Sequence, residues 1–175
     1  ATDAPTWSVY TQVSIQDLAT AVASTSTGTT KIATVKDVKS GTTDGGTFTA
    51  DTWVHRNLNT LSDPNNIGVS VNSNVVTVPA GTYSLRWRVP AYHCGRFSSR
   101  LHYSSQSNFS SDNNYVIGTS NYSHESQSRA DATSVGVVAS VTFSGNTYIK
   151  IEQYSDNGES GGSGLGVSSG VSGLS

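Results

Sequence analysis

The sequence predicts an all-β fold, a β-sandwich or barrel of jelly-roll type. Three observations carry that expectation. Ser and Thr supply 30 and 21 of the 175 positions, with 17 Gly and no Met, and hydroxyls that compete for the backbone, together with Gly, disfavour helices. Apolar and polar residues alternate in runs of strand length. Turn signals recur at about every 8–12 residues, the spacing of short antiparallel strands.

The elements follow in order. Trp7 to Ile15 (WSVYTQVSI) places Trp7, Val9, Val13 and Ile15 on one face with Thr11, which is a strand half buried in a sheet. Residues 16–30 begin with enough helix-compatible residues for two turns and end as a Ser/Thr linker. Lys31 to Lys39 reads as a strand with a bulge, because Ile32, Val35 and Val38 are unevenly spaced. Asp44-Gly45-Gly46 marks a turn, and a strand is expected over His55 to Thr60.

Asp63-Pro64-Asn65-Asn66 turns the chain before Ile67, Val69 and Val71, and Asn72-Ser73-Asn74 turns it again before Val75 to Val78. The clearest amphipathic strand comes next: Tyr83, Leu85, Trp87 and Val89 on one face, Ser84, Arg86 and Arg88 on the other. Further strands are expected over Arg100 to Tyr103, Tyr115 to Gly118, Val135 to Phe143 and Tyr148 to Tyr154, with a short one around Leu165 to Val167. Val135, Val137, Ala139, Val141 and Phe143 are expected to share a face. The chain thus reads as residues 1–30, strand plus linker, and residues 31–175, one jelly-roll domain.

Charge and composition exclude several classes. A net charge of −2 offers no basic field to nucleic acid or to an anionic membrane surface. Apolar runs of four or five residues are too short for a helical span, and the first residues shown lack the charged n-region and apolar h-region expected of a secretion signal. Cys94 is the single cysteine, so no internal disulfide forms. Only 34% of residues are hydrophobic, against roughly 45–50% in an average domain. Such a lean core gains from burying further strand faces between subunits.

The run KIATVKDVKSGTTDGGTFTADTWVHRNLNT, then VTVPAGTYSLRWRVPAY and later YIKIEQY, resembles a family common among phage structural proteins. Its members are trimeric jelly-roll domains related in fold to tumour necrosis factor and the complement globular head. The matching motifs are Lys31-Ile32-Ala33, Asp37 with Lys39, Gly45 to Phe48, Arg56 to Thr60, Val78 to Tyr83, and Pro90 to Tyr92 with Arg96 and Arg100 after them. The resemblance covers about residues 31–167 and implies a homotrimer at a virion surface. A virion structural role is expected, and the lack of coiled-coil heptads in these residues tilts the expectation towards a non-enzymatic capsid decoration (cement) protein in contact with other capsid or tail proteins. The alternatives are a receptor- or glycan-binding tail-fibre tip and a subunit of a donor-strand filament.

One departure from the family pattern concerns the closing strand. The family ends on a strand resembling EVYTQV-x-I shortly after a GFGV-like segment. Here Gly164 to Val167 (GLGV) matches that segment, whereas the strand itself stands at the N-terminus as Trp7 to Ile15. Trp7, Val9, Val13 and Ile15 are therefore expected to dock as a strand, in the same chain or in a neighbour.

No residue pattern predicts catalysis, a cofactor or a metal. His55, His93, His102 and His124 lack metal-ligand spacing, and Cys94 is expected as a small buried thiol rather than a nucleophile. Gly161 to Gly166 is a loop without the strand-to-helix context of a phosphate cradle. The candidate recognition residues are Tyr103, Tyr115 and Tyr122, interleaved with Ser and Asn in expected loops over residues 103–128, with Arg96 and Arg100 at their edge. Tyr/Ser/Asn loops suit adaptable contacts, and aromatic rings stack on a host glycan.

Overall fold

The computed structural model describes residues 30–110, 114–124, 131–168 and 170. The expected strand Trp7 to Ile15 and the linker through residue 29 lie outside the described residues. The chain divides into a unit of residues 1–31 and a unit of residues 32–175, and every strand below belongs to the second. No described residue is helical. The ten strands are β1 (Thr34–Lys36), β2 (Trp53–His55), β3 (Thr60–Ser62), β4 (Ser70–Asn72), β5 (Val75–Val78), β6 (Gly81–Tyr92), β7 (Gly95–Ser104), β8 (Asn114–Ser123), β9 (Asp131–Phe143) and β10 (Thr147–Ser155).

All pairings are antiparallel. One sheet runs β4-β5-β10-β7-β8, and β10 organises it. Along one edge β10 pairs first with β5, through Thr147↔Val78, and further on with β2, through Glu152↔His55. Its other edge pairs with β7 over Tyr148 to Ser155. β6 and β9 form a separate two-stranded sheet, and β1 pairs with β3.

The core forms where the two larger sheets meet. Val76 and Val78 of β5, Leu101 of β7 and Ile149 of β10 cluster with Trp87 and Val89 of β6 and Phe143 of β9. A second cluster joins Phe48, Ala91, Cys94, Phe97 and Leu165. Apolar faces from both sheets therefore share one interior, an arrangement compatible with a β-sandwich. Trp87 stands opposite Gly136 in the ladder, and a side chain at residue 136 would collide with the indole. Truncating Trp87 to Ala removes one of the largest buried side chains and costs about 3–5 kcal/mol.

The core also carries a directed polar chain. Trp87 Nε1 donates to Ser99 Oγ at 2.9 Å, and Ser134 Oγ donates to the Thr119 carbonyl at 2.6 Å. Ser99 and Ser134 hydroxyls lie 2.6 Å apart, so Ser99 supplies the proton between them. Both serines are fully buried. Four strands, β6, β7, β9 and β8, are joined by this one chain of hydrogen bonds.

Several expectations are corrected. The single face of Val135, Val137, Ala139, Val141 and Phe143 does not exist, because the β6–β9 register shifts between Tyr83↔Val141 and Leu85↔Val138. One extra residue on β9 inverts the alternation there, so Phe143 is buried while Val135 and Val137 point outward. The strand expected over Lys31 to Lys39 is only Thr34–Lys36. Beyond it, Asn59 takes the Val38 N–H at 2.8 Å through its side chain and bonds the Lys36 carbonyl through its own N–H.

The strand expected over His55 to Thr60 is split into β2 and β3, since Asn74 Oδ1 accepts the Leu58 N–H and Arg56 turns inward. Ile67 and Val69 stay outside β4 because Asp63 captures the N–H groups of Ile67, Gly68 and Val69. The short strand expected around Leu165 to Val167 is not formed: Leu165 lies in a turn and Gly166 and Val167 are irregular, with the Gly45 N–H donating to the Gly166 carbonyl and the Leu165 N–H to that of Gly46. Residues 114–123, expected mostly as loop, are ladder: β8 pairs with β7 from Asn114 to Ser123.

Candidate functional site

The alternation of β10 separates two chemistries. Ile149, Ile151 and Gln153 face the interior, whereas Lys150, Glu152 and Tyr154 belong to the opposite face of the sheet. Register places His55 of β2 beside Glu152 on one side and Arg100 of β7 beside it on the other. Tyr115 of β8 stands opposite His102 of β7. The outer face of the sheet thus gathers Trp53, His55, Arg100, His102, Tyr115, Lys150 and Glu152.

Glu152 is the centre of this cluster. Arg100 Nε donates to Glu152 Oε2 at 2.6 Å, and Lys150 Nζ lies 3.1 Å from Oε1. His102 Nδ1 lies 3.4 Å from Oε2. The Arg100 guanidinium is clamped between two rings, 4.1 Å from the Trp53 centroid and 3.9 Å from that of Tyr115. Lys150 Nζ sits 4.4 Å over Phe109, whose ring meets His102 edge-on at 4.7 Å. Each desolvated cation–ring contact of this kind contributes about 0.5–2 kcal/mol.

The electrostatics follow from burial and partners. Burial alone would push the Glu152 carboxyl up, but hydrogen bonds and charge from Arg100 and Lys150 outweigh it and hold the group below its ordinary range. His55 is lowered, first by burial and then by Lys150, against the opposing pull of the Asn74 carbonyl and Glu152. The cluster therefore holds a carboxylate with two cations at neutral pH. A carboxylate so neutralised is a poor general base.

Of the sequence-predicted recognition residues, the structure brings Arg100 and Tyr115 into contact. Arg96 and Tyr122 form another cross-strand pair further along the β7–β8 ladder. Tyr115 and Tyr122 are 41% and 53% exposed. Tyr103 is placed apart from them, because its ring packs 5.6 Å from Phe143 against the core. Tyr115 and Tyr122 thus look outward, and they do so from strand β8 instead of loops. Trp53, Lys150 and Glu152 were missed by sequence reasoning. The i, i+2, i+4 spacing of Lys150, Glu152 and Tyr154 marks a shared face, but nothing in it signals a buried carboxylate.

The remaining candidates are local. Cys94 is fully buried, its carbonyl accepts the Ser155 hydroxyl at 2.6 Å, and burial pushes its thiol up. A raised thiol is a weak nucleophile. His93 stacks on Tyr92 at 3.7 Å, and His124 meets Tyr122 at 6.1 Å. Among the described residues, no group of three or more His, Cys, Asp or Glu side chains is placed to hold a metal.

A second feature lies where β6 borders the β1–β2 region. A cavity of about 310 Å³ is lined by Trp87, Val89 and Pro90 of β6 and by Asp37, Leu58 and Ile151. The buried Arg56 also lines it and donates to the Leu165 carbonyl at 2.7 Å and to Gln153 Oε1 at 3.1 Å. Burial pushes Arg56 down to about 10, with Asp37 opposing. Gln153 is 1% exposed, and its Nε2 has no hydrogen-bond partner among the described residues. A buried donor left unpaired costs about 1–3 kcal/mol.

Comparison with protein-family models gives no match to the chain, and none of the curated proteins is significantly similar to it.

Proposed function

We propose that the chain is a self-assembling structural module, a trimeric jelly-roll domain of a virion surface that acts without catalysis, as a capsid decoration protein does. The observation that carries the assembly reading is the outer face of the β6–β9 sheet. Val135 and Val137 are 43% and 55% exposed there, opposite Arg88 and Arg86 in the ladder. Two neighbouring outward valines on a regular strand pair suit burial against a second copy, with the arginines at the rim. The jelly-roll reading is supported by the order in which the chain visits its sheets. β5, β7, β8 and β10 lie in one sheet and β6 and β9 in the other, so the chain crosses between layers repeatedly. The phage assignment rests on the motifs between residues 31 and 167.

The test is the mass in solution of the parent and of Val137→Asp. The charge at residue 137 should dissociate the trimer while leaving the β-sheet circular dichroism unchanged. An unchanged mass in Val137→Asp would contradict assembly through this face.

A second reading, recognition of a host glycan, is favoured by the exposed rings of Tyr115 and Tyr122 on the outer face of the larger sheet. Replacing both by Ala should abolish binding to host cells or to a glycan array. Equal binding by parent and variant would leave these rings a surface role only.

A further inference from the structure

Arg56 is a buried cation whose hydrogen bonds all go to neutral acceptors. Its Nη1 donates to the Pro90 carbonyl at 3.4 Å and to Gln153 Oε1 at 3.1 Å, and its Nη2 donates to the Leu165 carbonyl at 2.7 Å. The residue is 7% exposed, and a charge so placed is ordinarily paired with a carboxylate. Asp37 is the one acidic residue in the lining of the same cavity, and its charge favours the Arg56 cation from a distance. That carboxylate is already engaged: Lys39 Nζ meets its two oxygens at 2.6 and 2.5 Å, and Asn59 Nδ2 donates to Oδ1 at 3.2 Å. A guanidinium carries five N–H groups. The three bonds of Arg56 leave Nε–H and one N–H of Nη2 without an acceptor among the described residues.

The rest of the cavity is suited to an organic ligand. Trp87, Val89, Leu58, Ile151 and Leu165 supply apolar walls, and 310 Å³ lies at the lower end of small-molecule sites. Val167, 59% exposed, stands on the rim and leaves the cavity open to a solute. The polar end is under-satisfied at a second residue. Arg56 holds Gln153 by its Oε1, while Nε2 of the same buried amide has no partner among the described residues. Water can enter a cavity of this size and meet spare donors, but it brings no charge.

We propose that the cavity is a binding site for a small carboxylate with an apolar body, its charged end on Arg56 and its body among Trp87, Leu58 and Ile151. One guanidinium donates to both oxygens of a carboxylate, a match that a neutral amide or alcohol lacks. The low dielectric around Arg56 strengthens that charge pair relative to one at the surface. Lys39 is neutralised by Asp37, so Arg56 is the residue that discriminates. The site is separate from the assembly face of Val135 and Val137, and a monomer and a trimer can bind such a ligand equally well.

Nuclear magnetic resonance titration of the full chain tests it, with sodium benzoate and sodium hexanoate as probes and benzamide as the uncharged counterpart of benzoate. Both carboxylates should shift the Arg56 Nε–H, the Trp87 indole and the Leu58 and Ile151 amides along saturable curves. Benzamide should bind at least about tenfold more weakly than benzoate. Arg56→Met should bring benzoate down to the level of benzamide. Leu58→Phe, which narrows the cavity and keeps the charge, should weaken both carboxylates. The comparison of benzoate with benzamide uses the parent alone, so it decides the matter even where Arg56→Met fails to fold. Equal affinity for benzoate and benzamide would overturn the proposal. So would the absence of saturable shifts at these residues with either carboxylate up to about 10 mM, a concentration that reveals even very weak binding.

Discussion

Glu152 shows how one side chain sets the character of a sheet face. The carboxylate is 5% exposed, a position normally reserved for apolar residues, and it is tolerated because Arg100 and Lys150 both reach it. Its folded-state titration is depressed below the ordinary value of 4.5, so ionised Glu152 stabilises the fold above that value. As pH falls from about 4.5 through the depressed folded value, that contribution is lost. Urea midpoints measured between pH 7 and pH 3 should therefore drop in the parent. Glu152→Gln should be less stable at pH 7, because Arg100 and Lys150 lose their counter-charge, and its profile should be flatter below pH 4.5. Identical profiles for the two proteins would remove Glu152 from this role. None of this was legible in YIKIEQY, whose alternation fixes which side chains share a face and leaves silent which of them are covered.

At the scale of elements, serine does work that its abundance in the sequence concealed. Ser99 and Ser134 read as generic strand or turn residues, yet they lie fully buried and transmit a hydrogen bond from Trp87 to the Thr119 carbonyl. β8 and β9 share no ladder, and they are joined by side chains: Ser134 to Thr119 O, Asn121 Nδ2 to Thr133 O at 2.8 Å, and Val135 N to Thr119 Oγ1 at 3.0 Å. Ser99→Ala strands the indole N–H of Trp87, and should cost about 1–3 kcal/mol by denaturant unfolding. Ser99→Thr, which keeps the hydroxyl, should lose less if the added methyl is accommodated. A Ser99→Ala variant as stable as the parent would show that the chain of hydroxyls is incidental.

Strand β6 was readable because its period is unbroken from Tyr83 to Val89. β9 was readable as a strand and misread as a face, since a bulge costs no apolar residue and leaves no mark on composition. The same limit applies to β2 and β3. Arg56 sits in what looks like an exposed strand, and only the tertiary acceptors at Leu165 and Gln153 explain why it turns inward.

For the whole molecule, two outward surfaces define the account. The outer face of the larger sheet is occupied by the Glu152 cluster and its aromatic rim. The outer face of the β6–β9 pair exposes Val135 and Val137, the face proposed above to meet a second copy. The all-β class was legible from composition and turn spacing. The recognition set was legible only in part, because Tyr115 and Tyr122 share an exposed sheet face while Tyr103, of the same residue type, turns to the core. Parity along a strand decides such fates, and parity depends on the register shift between Ser98 and Arg100 in the β7–β8 ladder.

Assembly is the central claim, and sedimentation velocity on the full chain tests it most directly. Over a hundredfold range of concentration from about one micromolar, the parent should sediment as a single species of three times 18.3 kDa. A species of 18.3 kDa throughout that range would contradict the account.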